Sequence, residues 1–431
     1  MERRRFLVRT GLALAAAGLA PAVTPGVEKT QGPVDWNRVR DQFNLSREFV
    51  QLAGFFLASH PTPVREAIET HRRGLDDNPL GYIISNIERL EGAVLSAATE
   101  YLGARPTDIA LTDSTTMGLG LLYGSLKLNP GQEILTTTHD HYSSDESLRY
   151  RAERTGATVR RIPLYGDLET VSADEITDSI VRAVTPKTRI VAVTWVHSST
   201  GLKLPIRQIA DALARANAGR DEADRALLCV DGVHGLGNQN VTVGDLGCDF
   251  LIAGCHKWLF GPRGTGLVWG RETAWRAAHP TIPPMSFEAF RMWEKEIPRR
   301  ELPMAELMTP GGFHSFEHRW ALAEAFRFHL GLGKKPVHER VHALNRQFKE
   351  GLAKMPAVTL HTPMADDLSG GIVCFDVAGL KPMAVVERLW ASKIVTTETP
   401  YATKYARASF SVFNTIEEVE RTLEAIRKLA S

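Results

Sequence analysis

The stretch DFLIAGCHKWLFGPRGTG, residues 249–266, begins with an apolar run, Phe250 to Ala253, and ends in a glycine-rich turn. Between the two stand His256 and Lys257. An apolar run of this length bounded by glycine reads as a buried strand. Lysine is almost never fully buried without a partner. Lys257 is therefore either a charge that snorkels to water or an amine made reactive by desolvation, which favours its neutral form. The next apolar run, TGLVWG at 265–270, follows too soon for a crossover helix and is expected to run antiparallel to its predecessor.

Outward from this point the chain alternates strand and helix patterns. Strand-length runs are DIALT (108–112), EILTTT (133–138), TVRRIPL (158–164), TRIVAVTWV (188–196) and ALLCVDG (226–232). Helical patterns start near Thr115 and cover Ser144 to Arg154, Ala173 to Ala183 and Pro205 to Ala216. This alternation implies the α/β class, with a mostly parallel sheet covered by helices on both faces. From about residue 300 the pattern changes to helices near 316–330, 338–354, 382–391 and 415–430, flanking short strands GIVCFDV and RASFSV, as in a smaller α+β domain. The expected organisation is an N-terminal segment at 23–60 packing on the small domain, a large domain at 61–295 and a small C-terminal domain at 296–431. Residues 280–298 read as an irregular connector.

In such sheets ligands bind outside the carboxyl ends of the strands. Five of these ends carry chemistry: Thr115 and Thr116; His139, Asp140, His141 and Tyr142; His197, Ser198, Ser199 and Thr200; Asp231 and His234; His256 and Lys257. One aspartate at a strand end is ordinarily a turn or cap residue, but five polar ends together point to a site. Metal is disfavoured: His139 and His141 have no third ligand at a recognisable spacing, and no HExxH is present. GLGLLYG (118–124) has the wrong glycine spacing for a dinucleotide loop, and GPRGTG lacks the lysine and hydroxyl of a P-loop.

Composition excludes other classes. With 51 basic and 50 acidic side chains in 431 residues, nothing favours nucleic acid or an anionic membrane as partner. The four cysteines, at 229, 248, 255 and 374, have no paired spacing and read as core thiols. The first 22 residues have a basic start, an apolar Ala/Leu stretch and an Ala-Pro-Ala end. Their Arg3-Arg4-Arg5-Phe6-Leu7 looks like a twin-arginine export signal. Such a signal implies recognition by the twin-arginine translocase, a periplasmic address, and a folded cargo that already carries its cofactor.

Lysine, carboxylate, imidazole and hydroxyl groups at strand ends are the mixture that pyridoxal phosphate uses. Its aldehyde takes a lysine, its pyridine nitrogen takes a carboxylate, and its phosphate takes hydroxyls and N–H groups at a helix start. VDGVHG at 230–235 together with CDFLIAGCHKWLFGPRGTG at 248–266 resembles the cofactor signature of the class V, fold-type I pyridoxal-phosphate enzymes. That family includes isopenicillin N epimerase-like proteins, aminotransferases, cysteine desulfurases, kynureninases and ergothioneine-type C–S lyases. The resemblance implies a homodimer whose large domain holds a seven-stranded sheet. It implies Lys257 as the Schiff-base lysine and Asp231 as partner of the pyridine nitrogen. His234 and Ser198 would contact the ring hydroxyl, and His141, or its neighbour Tyr142, would stack on the ring. Thr115, Thr116 and His256 would hold the phosphate, with Thr265 reaching the phosphate of the other subunit. Arg407, in RASFSVFNTIEEVERTLEAI (407–426), would grip a substrate carboxylate.

Departures narrow these expectations. The loop KIVTTETPYATKYA (393–406) lacks the cysteine that desulfurases carry, which argues against a persulfide route. Gly254 stands where relatives often have a serine, and GGFHSFEHRW (311–320) departs from the usual Gly-Thr segment. That leaves His314, His318 and Arg319 either as substrate contacts or as solvated residues of a helix start. In leader, size and motif layout the chain is similar to the exported members that modify the N-terminal glutamate of a pyoverdine-type siderophore. Racemase, aminotransferase and C–S lyase activities are the alternatives. A periplasmic binding protein without cofactor is the non-enzymatic one.

Overall fold

The computed structural model describes residues 32–295 and 302–430, so the leader lies outside the described residues. Strands are numbered in chain order, and only helices of two turns or more are labelled. The N-terminal part holds β1 (Val50–Gln51), α1 (Thr62–Asp77) and α2 (Pro79–Leu102). The alternating part runs β2 (Ile109–Thr112), α3 (Thr115–Ser125), β3 (Glu133–Thr137), α4 (Tyr142–Thr155), β4 (Thr158–Ile162), α5 (Ala173–Ala183) and β5 (Thr188–Thr194). It continues through α6 (Ile206–Ala216), β6 (Leu227–Asp231), β7 (Phe250–Gly254) and β8 (Gly266–Gly270). These strands form one seven-stranded sheet in the order β2-β8-β7-β6-β5-β3-β4. All neighbours are parallel except β8, which is antiparallel to both β7 and β2, as its short connection requires.

Side chains alternate faces along a strand, and here both faces are core. Val191, Val193, Leu228, Val230, Leu251 and Ala253 join one apolar cluster, while Ile190, Ala192, Leu227, Cys229, Phe250 and Ile252 join another. Cys229, Cys248, Cys255 and Cys374 are all buried and free. GLGLLYG lies inside α3 and is no loop. A Cβ on its Gly118 would stand 2.7 Å from Ile252 Cγ2, so glycine there lets the helix pack closely on the sheet.

The remaining helices are α7 (Phe287–Glu294), α8 (Phe316–Leu332), α9 (Lys334–Ala353), α10 (Pro382–Ala391) and α11 (Ile416–Leu429). The four-stranded antiparallel sheet has the order β12-β13-β10-β9, from β9 (Val358–Leu360), β10 (Val373–Val377), β12 (Thr397–Glu398) and β13 (Ala406–Ala408). The N-terminal segment joins this region: β1 pairs parallel with β11 (Ile394–Val395), and Arg40 Nη2 donates to Glu418 Oε1 at 2.6 Å.

Past the expected boundary at 296, Ala305 and Met308 join the apolar cluster on one sheet face and Leu322, Ala323 and Phe326 that on the other. Two sequence expectations need correction, and two helices lie where none was expected. Helix α7 lies within the segment read as irregular, part of which falls outside the described residues. RASFSV is a strand only at its start. Beyond Ala408 the backbone bonds leave the ladder, Ser409 N donating to Leu52 O, Phe410 N to Asn345 Oδ1 and Ser411 N to Asn414 Oδ1. Finally, α1 and α2 were not read as helices, although Asn78-Pro79 is an N-cap followed by proline at the first helical position. Both pack against α8.

The turn after Lys257 is held in an unusual conformation. Phe260 has φ of 59°, a left-handed value that costs a bulky residue energy. Its N–H donates to Lys257 O at 3.0 Å and Gly261 N donates to Cys255 O at 2.8 Å. Phe260 is buried, with its ring 5.0 Å from Phe43, 5.3 Å from His329 and 6.1 Å from Phe413. Packing from three distant segments thus holds the strained turn. Phe260→Ala is expected to lower stability by about 3–5 kcal/mol, as for other buried phenylalanines. Chemical denaturation measures this, and an unchanged midpoint would refute the role of the aromatic cluster.

Candidate active site

Lys257 follows the carboxyl end of β7, and Asp231 closes the adjacent parallel strand β6. Asp231 is 3% exposed, and among the described residues its carboxylate accepts one hydrogen bond, from Val233 N at 3.1 Å. Burial raises its pKa to about 6; the Val233 bond and Lys257 pull it down, and Asp140 pushes it up. Burial lowers the Lys257 ammonium to about 8, with Asp231 opposing and Arg407 adding to the shift. A substantial fraction of neutral amine is therefore present slightly above neutral pH. Lys257 Nζ lies 3.4 Å from His234 Nε2. Burial first, then Lys257 and Arg407, hold His234 neutral, and its buried Nδ1 has no hydrogen-bond partner among the described residues.

Arg407 comes to this cluster from β13 of the small sheet. Its Nε donates to Thr397 Oγ1 at 2.8 Å and its Nη1 to Ser198 O at 2.9 Å, while the guanidinium lies 4.9 Å from the centre of the Phe55 ring. Ser198 follows β5, and its hydroxyl is 2.7 Å from Tyr401 OH. His141 caps α4, its Nδ1 accepting from Ser143 N at 3.2 Å, and its ring meets Tyr401 edge-on at 6.1 Å. The alternative stacking residue, Tyr142, is 70% exposed and points away.

The start of α3 forms a cup beside the lysine. Ser114 caps the helix by accepting from Met117 N at 3.1 Å, so Thr115 and Thr116 stand in its first turn, where N–H groups favour an anion. Thr115 Oγ1 accepts from Gly254 N at 2.8 Å, and Thr116 Oγ1 lies 3.0 Å from Ser143 Oγ. His256 Nδ1 is buried without a hydrogen-bond partner among the described residues. A Cβ on Gly254 would stand 2.9 Å from both Thr115 Oγ1 and His256 Cε1. The glycine is thus required by the approach of the two residues that flank it. Thr265 is 2% exposed and its hydroxyl donates to Pro262 O at 2.5 Å, within the same turn.

Other candidates separate. His139 stacks on Tyr165 at 4.5 Å and accepts from Leu164 N, away from His141, and no metal-binding cluster exists among the described residues. His318 Nδ1 lies 2.9 Å from Arg263 O. His314 and Arg319 line an apolar cavity of about 570 Å³ with Glu91, Phe287, Phe290 and Phe313. This cavity does not include Lys257. Arg319 links the two regions through Asp113, 3.5 Å away. Sequence reasoning did not single out Tyr401, Phe55 or Thr397. Tyr401 had a weak signal, as one of two tyrosines, with Tyr405, in the loop just before Arg407.

These residues fit pyridoxal phosphate: a buried carboxylate with spare acceptor capacity, two orphaned imidazole nitrogens, and hydroxyls at a helix start beside a lysine. Gly254→Ser is expected to weaken retention of the cofactor by about tenfold or more, ~1.4 kcal/mol. Titration of cofactor-free protein with pyridoxal phosphate measures it, and an unchanged affinity would rule out the Thr115–His256 cup. The lowered Lys257 pKa has a definite sign. Its reaction with an amine-selective reagent should rise with pH through a midpoint near 8, against a later rise for exposed lysines. Peptide mapping after labelling at several pH values decides this.

The description Aminotransferase class-V matches residues 91–422. Over 412 residues the chain is 27% identical to an isopenicillin N epimerase of Streptomyces clavuligerus, covering 92% of this chain and 98% of the relative. Over 416 residues it is 25% identical to a probable cysteine desulfurase of Halalkalibacterium halodurans, covering 90% and 95%. Among solved structures, the cystine C–S lyase C-DES with cysteine persulfide superposes with a TM-score of 0.78 at 21% identity, covering 89% of this chain and 98% of that one. The cysteine desulfurase CsdA of Escherichia coli gives 0.76 at 20%, covering 92% and 98%. Together with a lysine, a carboxylate and hydroxyls of a helix start at adjoining strand ends, the family match makes this chain a pyridoxal-phosphate-dependent enzyme of the class V aminotransferase family.

Proposed function

We propose that this enzyme acts on the amino group of an amino acid or peptide whose carboxylate is held by Arg407. The observation that carries the reading is the joint burial of Lys257, Asp231 and Arg407, each shifting another's pKa. Thr115, Thr116 and His256 would hold the cofactor phosphate, Asp231 its ring nitrogen, His141 its ring face, and Ser198 and His234 its ring hydroxyl. When bound, the cofactor supplies an aldehyde for an amine and a protonated ring that accepts an electron pair from a broken bond. Lys257 Nζ, neutral above about pH 8, would take or return a proton at the substrate's α-carbon. Arg407 Nη2 is free of hydrogen bonds among the described residues and offers the edge a carboxylate uses.

The lead substrate is the N-terminal glutamate of a pyoverdine-type siderophore, modified in the periplasm after twin-arginine export. Its support is the sequence of the leader together with the chain's size and motif layout. Epimerisation, transamination and C–S lysis are the competing reactions, and the epimerase likeness keeps the first in view. A second copy is the expected partner. In support, the large apolar side chains of Leu80, Phe287, Trp293 and Phe313 are each more than 60% exposed, and a second copy would cover such side chains.

Purified protein should absorb near the visible edge, and Lys257→Ala should lose that band. A wild type that stays colourless after incubation with pyridoxal phosphate would overturn the assignment of Lys257. Asp231→Asn is expected to lower turnover by about two or more orders of magnitude, since the ring then loses its proton's partner; equal turnover would refute the pairing. Metabolite comparison of a deletion strain tests the siderophore reading, which fails if the strain without the enzyme still modifies that glutamate.

A further inference from the structure

Tyr401 belongs to the small domain, yet its side chain ends at the large domain's Ser198. The loop that carries it is closed on itself: Thr399 N donates to Tyr405 O and Tyr405 N to Thr399 Oγ1, both at 2.9 Å. These bonds fix the backbone around Tyr401 without help from the large domain. Its hydroxyl then meets Ser198 Oγ at 2.7 Å, while its ring stands edge-on to His141. Burial pushes the phenol up to about 12, so it stays protonated and acts as a hydrogen-bonding group, never as a base near neutral pH. The same Ser198 accepts Arg407 Nη1 at its backbone oxygen. One large-domain residue is therefore gripped twice from the small domain, by Tyr401 at its side chain and by Arg407 at its main chain.

We propose that Tyr401 is a positioning residue for carboxylate recognition: by fixing Ser198 it sets the plane and aim of the Arg407 guanidinium. This rests on the reading of Arg407 as the carboxylate-binding group beside Lys257. The guanidinium has two hydrogen-bonded anchors, Thr397 Oγ1 on its own domain and Ser198 O on the other, and its face rests on Phe55. With the Thr397 anchor alone it can pivot about the Nε bond, and Nη2 no longer points one way. A carboxylate needs two donors in a fixed fork. The cost of losing Tyr401 OH falls on carboxylate binding and leaves amine binding at Lys257 untouched.

The test uses the cofactor-loaded enzyme, titrated by its visible absorption with L-alanine, ethylamine, L-norvaline and butylamine. Each amine is its amino acid without the carboxylate. Tyr401→Phe keeps the ring against His141 and removes only the hydroxyl. It should weaken both amino acids by about threefold to tenfold, the loss of one hydrogen bond, and leave both amines unchanged. Ser198→Ala, which also removes the hydroxyl beside the cofactor ring, should weaken the amino acids more than the amines, and adding Tyr401→Phe to it should lower amino-acid binding no further, as for partners in one interaction. Parallel losses for amines and amino acids, or no loss for the amino acids, would overturn the proposal. A wild type whose spectrum responds to none of the four probes overturns the reading of Lys257 and Arg407 as well. Equal melting temperatures for wild type and Tyr401→Phe exclude a folding defect as the cause.

Discussion

An acid and an amine buried side by side at the carboxyl edge of a parallel sheet are the constraint around which this molecule is arranged. Moving either charge alone into the interior costs several kcal/mol. Asp231 and Lys257 offset part of that cost, yet burial still wins for both: the carboxyl is held up near 6 and the ammonium down near 8. Both groups are left close to neutral pH, where a small change in surroundings moves a proton. Parallel β6 and β7 put the two residues at neighbouring strand ends, a placement a single strand could not provide.

Keeping the pair dry takes both domains. Arg407 and Tyr401 come from the small sheet region, Ser198, His234 and His141 from strand ends of the large one, and Phe55 from the N-terminal segment. The Lys257 turn is braced in a similar way, by Phe43, His329 and Phe413 around Phe260. Aromatic packing does not dictate which chemistry occurs. It fixes where the amine can be, and the rate at a reacting group falls about a hundredfold for a misplacement of about 1 Å.

The strand-end residues were legible in the sequence because periodicity and the rule of carboxyl ends are local. The short β7–β8 connection predicted the antiparallel return, and the observed register agrees. Contacts that close the site from far away in sequence were not legible. Nothing near Tyr401 announces Ser198, about two hundred positions earlier, and nothing in RASFSV says that its backbone leaves the ladder for Leu52 and Asn345. Helices α1 and α2 precede the first strand of the large sheet, so the alternation that revealed the other helices did not reach them. A related long-range contact is that of α8, which looks like the start of the small domain in pattern while Leu322, Ala323 and Phe326 on it join the core of the large sheet.

The cysteines sharpen what this site can do. All four are buried, and burial pushes Cys374 and Cys248 up to about 12. A thiol so placed has no thiolate to offer near neutral pH, and no cysteine stands in the loop ahead of Arg407. What that loop presents is a phenol bonded to Ser198, likewise protonated near neutral pH. The reactive groups facing the site are then an amine near its pKa, a carboxyl near its pKa and imidazoles held neutral. These are groups that move protons, and sulfur is not among them. Within a fold shared with cysteine desulfurases, the loop ahead of Arg407 thus carries a protonated phenol where a reactive thiol would have to stand.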